Sequence, residues 1–132
     1  MKTTALILFA LATVTIVNAQ DKKPEGLFIN SKAPEFSVKD QNGKQVSLKE
    51  LRKKGPVVLV FYRGNWCPYC NKELKRLEDS LQLIKDKGAE LIAISPEAQE
   101  GITKTTEKIK ATYSLISDSD AKIMKAYDVA YR

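Results

Sequence analysis

The sequence predicts an α/β fold: a layered sheet of parallel strands alternating with helices, joined by right-handed crossovers. Three observations carry this. Val57 to Tyr62 (VVLVFY) is apolar and β-branched at both faces, the pattern of a strand buried on both sides in a parallel sheet. Leu74, Leu77, Leu81 and Ile84 then recur at helical spacing. Two further apolar runs, Leu91 to Ile94 and Ser114 to Ile116, alternate with amphipathic segments. The 132 residues suffice for one ordinary domain, and a composition 43% hydrophobic and 29% charged excludes a disordered or low-complexity chain.

The elements follow in chain order. Residues 1–19 read as a secretory signal peptide: Lys2 gives a positive start, Ala5 to Val17 is apolar apart from two Thr, and Val17-Asn18-Ala19 offers a cleavage site before Gln20. As a helix those 13 residues reach only about 20 Å, short of a hydrocarbon core of roughly 30 Å, which favours a cleaved leader over an anchor. The expectation is an exported protein, periplasmic or secreted, in a compartment where disulfides persist. Residues 20–33 form an N-terminal lead-in, polar from Gln20 to Lys23, and residues 34–132 form the domain. Phe36 to Val38 and Gln45-Val46 flank Gln41-Asn42-Gly43-Lys44, where Asn-Gly predicts a tight hairpin turn because both central residues tolerate positive φ. Ser47 to Glu50 reads as a capping box for a short helical turn. Gly55-Pro56 breaks the chain before the first buried strand. Pro68 suits the first turn of the long helix, which runs to a left-handed cap at Lys87-Gly88. Gln99 to Ala111 is a weaker helix carried by Ile102 and Ile109. Asp118 to Asp120 caps a last helix containing Ile123, Met124 and Tyr127, and lacks the remaining ligands of a calcium loop. Phe28 and Phe36 are expected in the core beneath the hairpin.

Composition removes several chemistries. There is no His, so His-based metal sites, Ser-His-Asp triads and Cys-His pairs within the chain are excluded. Two Cys make neither a disulfide framework nor a four-thiolate zinc site, and no metal or cofactor is expected. The net charge of +6 is spread along the chain; its densest run is Arg52-Lys53-Lys54, without interleaved aromatics. A solvated surface accounts for it better than nucleic-acid binding.

The chemistry lies in Cys67-Pro68-Tyr69-Cys70, at the junction of strand and long helix. A Cys at a helix N-terminus faces unpaired amides and the positive end of the helix dipole, which lower its pKa and supply thiolate near neutral pH. The second Cys, one turn on, can attack a mixed disulfide on the first and release the product. The pair performs two-electron exchange without a cofactor. Trp66 is placed to cover one side of the site, and Arg63 to add positive charge if it turns toward the sulfur. Two plainer readings compete. A structural disulfide across so short a loop staples almost nothing. Zinc would need two ligands from a partner chain. Tyr62 reads as core before substrate contact, and Tyr69 as a candidate contact. Glu73, one turn past Cys70, reads as a solvated helix face before a proton shuttle, although no His or evident buried Asp competes for that task.

Ala33-Pro34-Glu35-Phe36, Asn42 to Leu48, and Val58 to Cys70 with its Phe-Tyr-Arg-Gly64-Asn-Trp-Cys-Pro-Tyr-Cys stretch resemble the peroxiredoxin-like branch of the AhpC/TSA family. Leu91 to Pro96, Leu115 to Asp118 and Ala126-Tyr127 continue the likeness. The resemblance implies a thioredoxin-like fold and thiol-dependent antioxidant or disulfide-reductase chemistry, with Cys67 attacking and Cys70 resolving. Its partners would be a protein or small-molecule disulfide or peroxide and a thiol reductant. Typical peroxiredoxins carry Pro seven and Thr or Ser three residues before the peroxide-reactive Cys. Here those positions hold Val60 and Gly64 before Cys67, and Arg63 and Cys67 before Cys70. The dithiol thus resembles thioredoxin and glutaredoxin sites more closely. No Pro follows Pro96 to supply the family's cis-Pro strand, so the domain reads as C-terminally incomplete. Three functions remain: a thiol-disulfide oxidoreductase, a thiol peroxidase, and a non-catalytic remnant or interaction module exposing an edge strand.

Overall fold

A computed structural model describes residues 23–131. The signal-peptide reading of residues 1–19 and the first residues of the lead-in lie outside them. Strands β1 (Ser37–Lys39) and β2 (Gln45–Ser47) form an antiparallel hairpin, with Val38 opposite Val46. There follow α1 (Leu48–Arg52), β3 (Val57–Phe61), α2 (Pro68–Asp79), α3 (Leu81–Asp86), β4 (Glu90–Ser95), α4 (Gln99–Ile109), β5 (Ser114–Ser117) and α5 (Lys122–Ala126). β3, β4 and β5 make a parallel sheet in that order, with Phe61 opposite Ile94 and Ser95 opposite Ser117.

The core lies on both faces of β4, whose residues alternate between two apolar clusters. Leu91 and Ala93 join Tyr62, Leu74, Leu81, Ile102, Ile109 and Leu115 under the helices α2, α3 and α4. Ile92 and Ile94 join Phe36, Val46, Leu48, Ile116, Ile123 and Tyr127 under the hairpin, α1 and α5. Burying each such aliphatic side chain is worth about 1.5–3 kcal/mol. The expected layered α/β architecture is present.

Five local expectations are corrected. The hairpin turn is wider than a two-residue Asn-Gly turn: the Gly43 amide donates to the Asp40 carbonyl at 3.0 Å, and Gly43, at φ 77°, is at positive φ while Asn42 is not. The buried Asp40 carboxylate organises this loop, accepting the amides of Asn42 and Lys44 and the Ser114 hydroxyl at 2.9–3.0 Å. The capping box does not form. Ser47 remains in the ladder opposite Ser37 with no side-chain cap bond, and Glu50 pairs with Lys53 at 2.8 Å. The long helix is two helices. At Ser80 (φ −101°, ψ 4°) the turn tightens, with the Leu83 amide reaching the Ser80 carbonyl at 3.0 Å, and the re-aimed α3 brings Leu81 into the cluster of Leu74. β3 is only partly buried on its two faces: Val60 packs on one cluster and Val57, Leu59 and Phe61 on the other, while Val58 is 39% exposed; among the described strands it lies at the sheet edge, in keeping with the edge-strand reading. Phe36 is core as expected, but Phe28 is 83% exposed on a turn closed by the Ser31 amide on the Phe28 carbonyl.

Other signals act as read. Pro68 opens α2, and Gly88 ends α3 at φ 71°, its amide on the Lys85 carbonyl and that of Ala89 on the Ile84 carbonyl. The lead-in docks on the C-terminal segment, where the Gly26 amide donates to the Asp128 carbonyl at 2.9 Å; at the start of the domain the Pro34 carbonyl accepts the Tyr127 hydroxyl at 2.9 Å. Among the described residues, no helix is long and apolar enough to cross a membrane.

Asp118 is 4% exposed and holds the start of α5, its two carboxylate oxygens accepting the amides of Ile123 and Met124 at 3.1 and 2.8 Å. Asp118→Ala leaves both amides without a buried partner and is expected to cost about 1–2 kcal/mol. Chemical denaturation checks this, as a lower midpoint at unchanged slope.

Candidate active site

The site grows out of the end of β3. The Tyr62 amide still bonds the Ile94 carbonyl at 3.0 Å; the chain then leaves the sheet through Arg63 to Trp66 and enters α2 at Pro68. Cys67 is the N-cap of that helix, with extended backbone (φ −90°, ψ 106°), and its Sγ accepts the amide of Cys70 at 3.3 Å. A sulfur thus stands where a Ser or Asp oxygen ordinarily takes a free helix amide. Cys67 and Cys70 form a disulfide with Cα atoms 5.3 Å apart. Cys67 is 5% exposed, and Cys70 is half-buried against the cluster of Leu74 and Tyr62.

The other residues singled out from the sequence surround this pair. Trp66 and Tyr69 are exposed, 60% and 86%, flanking the disulfide as open aromatic surface. Arg63 lays its guanidinium over the Trp66 ring, 4.7 Å from the centroid, a cation–π contact. Gly64 is buried at φ 153°, and a Cβ there would lie 2.6 Å from Trp66 Nε1 and 2.7 Å from Glu97 Cδ. Tyr62, Arg63, Trp66, Pro96, Met124 and Tyr131 line a groove of about 770 Å³ beside the site.

Glu97, Asn65 and Asn71 escaped the sequence reading. The Glu97 carboxylate accepts the Asn65 backbone amide at 2.7 Å and also the Asn65 side-chain amide; Asn71 Nδ2 donates to the Asn65 carbonyl at 2.7 Å. The available signal was topological: Glu97 stands two residues past β4, whose parallel register with β3 sets it beside the loop that follows β3. Glu73 is exposed and paired with Arg76 at 3.3 Å, a solvated helix face. The buried aspartates are Asp40, which the sequence reading did not mark and which serves the hairpin, and Asp118, read there as a helix cap and holding the start of α5.

Gly64→Ala is expected to destabilise the domain by about 1–3 kcal/mol, through backbone strain and displacement of Glu97. Denaturant titration tests this, and a stability equal to the parent's counts against the tight packing of the loop. Tyr62 is 5% exposed, and burial, with a smaller contribution from the Glu97 charge, pushes its phenol from 10.0 up to about 12. The unfolded chain then releases this proton first as pH rises, so stability is expected to fall between pH 10.0 and about 12. Below about pH 12, phenolate absorbance should rise for Tyr62 only with unfolding.

Comparisons with known proteins agree with this geometry. The chain matches the AhpC/TSA family over residues 29–132. It is 29% identical over 126 residues to the thiol-disulfide oxidoreductase ResA of Bacillus subtilis, covering 95% of this chain and 69% of that protein. It is 38% identical over 99 residues to the chloroplastic peroxiredoxin Q of Suaeda salsa, covering 75% of this chain and 46% of that one. The chain thus spans about half the length of that peroxiredoxin. The thioredoxin domain of a thiol-disulfide oxidoreductase from Bacteroides vulgatus superposes with a TM-score of 0.67 at 26% identity, covering 80% of this chain and 76% of that domain. The fold is thioredoxin-like, and the chain belongs to the AhpC/TSA family.

Proposed function

We propose that this protein is a thiol-disulfide oxidoreductase working through the Cys67/Cys70 dithiol. The observation that carries the reading is the pair itself: two Cys one turn apart, joined as a disulfide, with the first capping a 12-residue helix and holding the Cys70 amide on its sulfur. In the reduced protein that amide and the helix dipole favour a Cys67 thiolate. The thiolate attacks a substrate disulfide and expels one substrate thiolate, leaving a mixed disulfide on Cys67. Cys70 then attacks the Cys67 sulfur and expels the second. The substrate gains two electrons and the protein returns to its disulfide form. Exposure alone ranks the sulfurs the other way, since Cys67 is the more covered; the assignment of roles rests on the helix amides. Arg63, Gly64, Trp66, Pro68 and Tyr69 support the pair, and the groove with its aromatic wall receives the substrate. Substrates would be protein or small-molecule disulfides, with a thiol reductant closing the cycle. The signal-peptide reading of residues 1–19 places this chemistry in the periplasm or outside the cell.

Likeness to a peroxiredoxin favours a second reading, thiol-dependent peroxidase activity. There the Cys67 thiolate takes one peroxide oxygen, releasing an alcohol (water from hydrogen peroxide itself), and the resulting sulfenic acid condenses with Cys70 to the same disulfide with loss of one water.

Cys67→Ser is expected to abolish turnover of insulin or glutathione disulfide, and Cys70→Ser to accumulate mixed disulfides, visible by mass spectrometry. Unchanged turnover in Cys67→Ser would falsify the proposal. Peroxide consumption well above that of a free thiol, with a sulfenic acid trapped on Cys67, would select the second reading. A chain lacking any reversible dithiol transition would leave only a binding role.

A further inference from the structure

One residue separates Asn65 from Cys67, so whatever fixes Asn65 fixes the attacking sulfur within two peptide units. Asn65 is held on three sides: its backbone amide and side-chain amide both donate to the Glu97 carboxylate, and its carbonyl accepts from Asn71 Nδ2. The turn is closed by the Cys67 amide on the Gly64 carbonyl at 3.1 Å. Glu97 is itself held. Its amide donates to Ser95 Oγ at 3.3 Å, and its carbonyl accepts the Ser117 hydroxyl at 2.7 Å. Its side chain occupies a slot between two glycines, since a Cβ on Gly64 or on Gly101 would lie 2.7 Å from its Cδ. Glu97 is thus held through its backbone by Ser95 of β4 and Ser117 of β5, and through its carboxylate by Asn65, with Gly64 and Gly101 of α4 against its side chain, far more fixation than an exposed loop Glu receives.

We propose that Glu97 is the positioning residue of the dithiol: acting through Asn65, it fixes the Gly64–Cys67 turn so that the Cys67 sulfur stays on the Cys70 amide, and thereby sets how readily Cys67 becomes a thiolate. This rests on the reading of Cys67 as the attacking thiol. It attributes to Glu97 an effect of opposite sign to simple electrostatics. A carboxylate acting through space raises a neighbouring thiol's pKa; a clamp that keeps a helix amide on the sulfur lowers it.

The test uses the full chain carrying Cys70→Ser, so that one thiol remains, and follows the ultraviolet absorbance of its thiolate against pH. Adding Glu97→Ala is expected to raise the midpoint, lowering the thiolate fraction on the acid side of it about two- to fivefold, the size of one helix-terminus interaction. Glu97→Gln, which still offers an acceptor to the Asn65 amide, should stay near the parent. Asn65→Ala keeps the backbone donor and should shift the same way by less, which supplies a reading if Glu97→Ala fails to fold. A lowered midpoint in both Glu97 variants would show a through-space charge instead, and no shift in any variant would remove Glu97 from the site; either overturns the proposal. Thiolate absorbance needs no turnover, so a dithiol without reductase activity would defeat the functional reading while this measurement still reported on Glu97.

Discussion

The parallel register between β3 and β4 governs the site. Phe61 stands opposite Ile94, and the Tyr62 amide still reaches the Ile94 carbonyl, so both strands release their chains at the same end of the sheet. Asn65 on one exit and Glu97 on the other meet there because parallel strands leave no alternative. The register is itself held by burial. β4 is covered on both faces from Leu91 to Ser95, and a slip of one residue would exchange Leu91 and Ala93 with Ile92 and Ile94 between two clusters of different shape. The hydrophobic core thus determines where the carboxylate and the sulfur stand.

Stability and chemistry pull apart at this end of the sheet. Asn71 Oδ1 is buried with no hydrogen-bond partner among the described residues, and Gly64 keeps a backbone conformation unfavourable to other residues. Orphaned polar atoms and strained backbone each cost on the order of 1–3 kcal/mol, and folds tolerate them where function needs the geometry. The opposite layer shows the contrast: Asp40 and Asp118, equally buried, have their carboxylates filled by amides and a hydroxyl.

What the sequence disclosed follows physical range. Strand and helix identity came from periodicity, because Val57 to Tyr62, Leu91 to Ile94 and the Leu74–Leu77–Leu81 spacing each encode a face within a few residues. The dithiol was legible for the same reason: Cys67, Pro68 and Cys70 act within one helical turn. Failures arose where a distant contact decided. Asp40 took over the Asn-Gly turn by binding Ser114 across the chain, Ser47 was claimed by its ladder, and Phe28 lay on a turn that carried it into solvent. Glu97 was invisible because its partner is 32 residues away and nothing in Ser95-Pro96-Glu97 marks it.

Glu97 sets a carboxylate on the turn that leads into Cys67, and its tolerance there has a geometric reason. Both Glu97 oxygens are engaged by donors of Asn65, and the peptide carrying them continues toward Cys67. The charge is therefore met by two N–H groups, while the rigidity it confers passes along the backbone to the N-cap. Arg63 contributes on the outer side, its guanidinium spread over Trp66. Thiolate stabilisation then falls to the Cys70 amide and the α2 dipole, which lie on the axis of the helix and act on Cys67 far more than on Cys70, whose own sulfur sits a turn further along. Under the proposed function that asymmetry is what distinguishes two chemically identical thiols, and it depends on the turn between Gly64 and Cys67 staying closed.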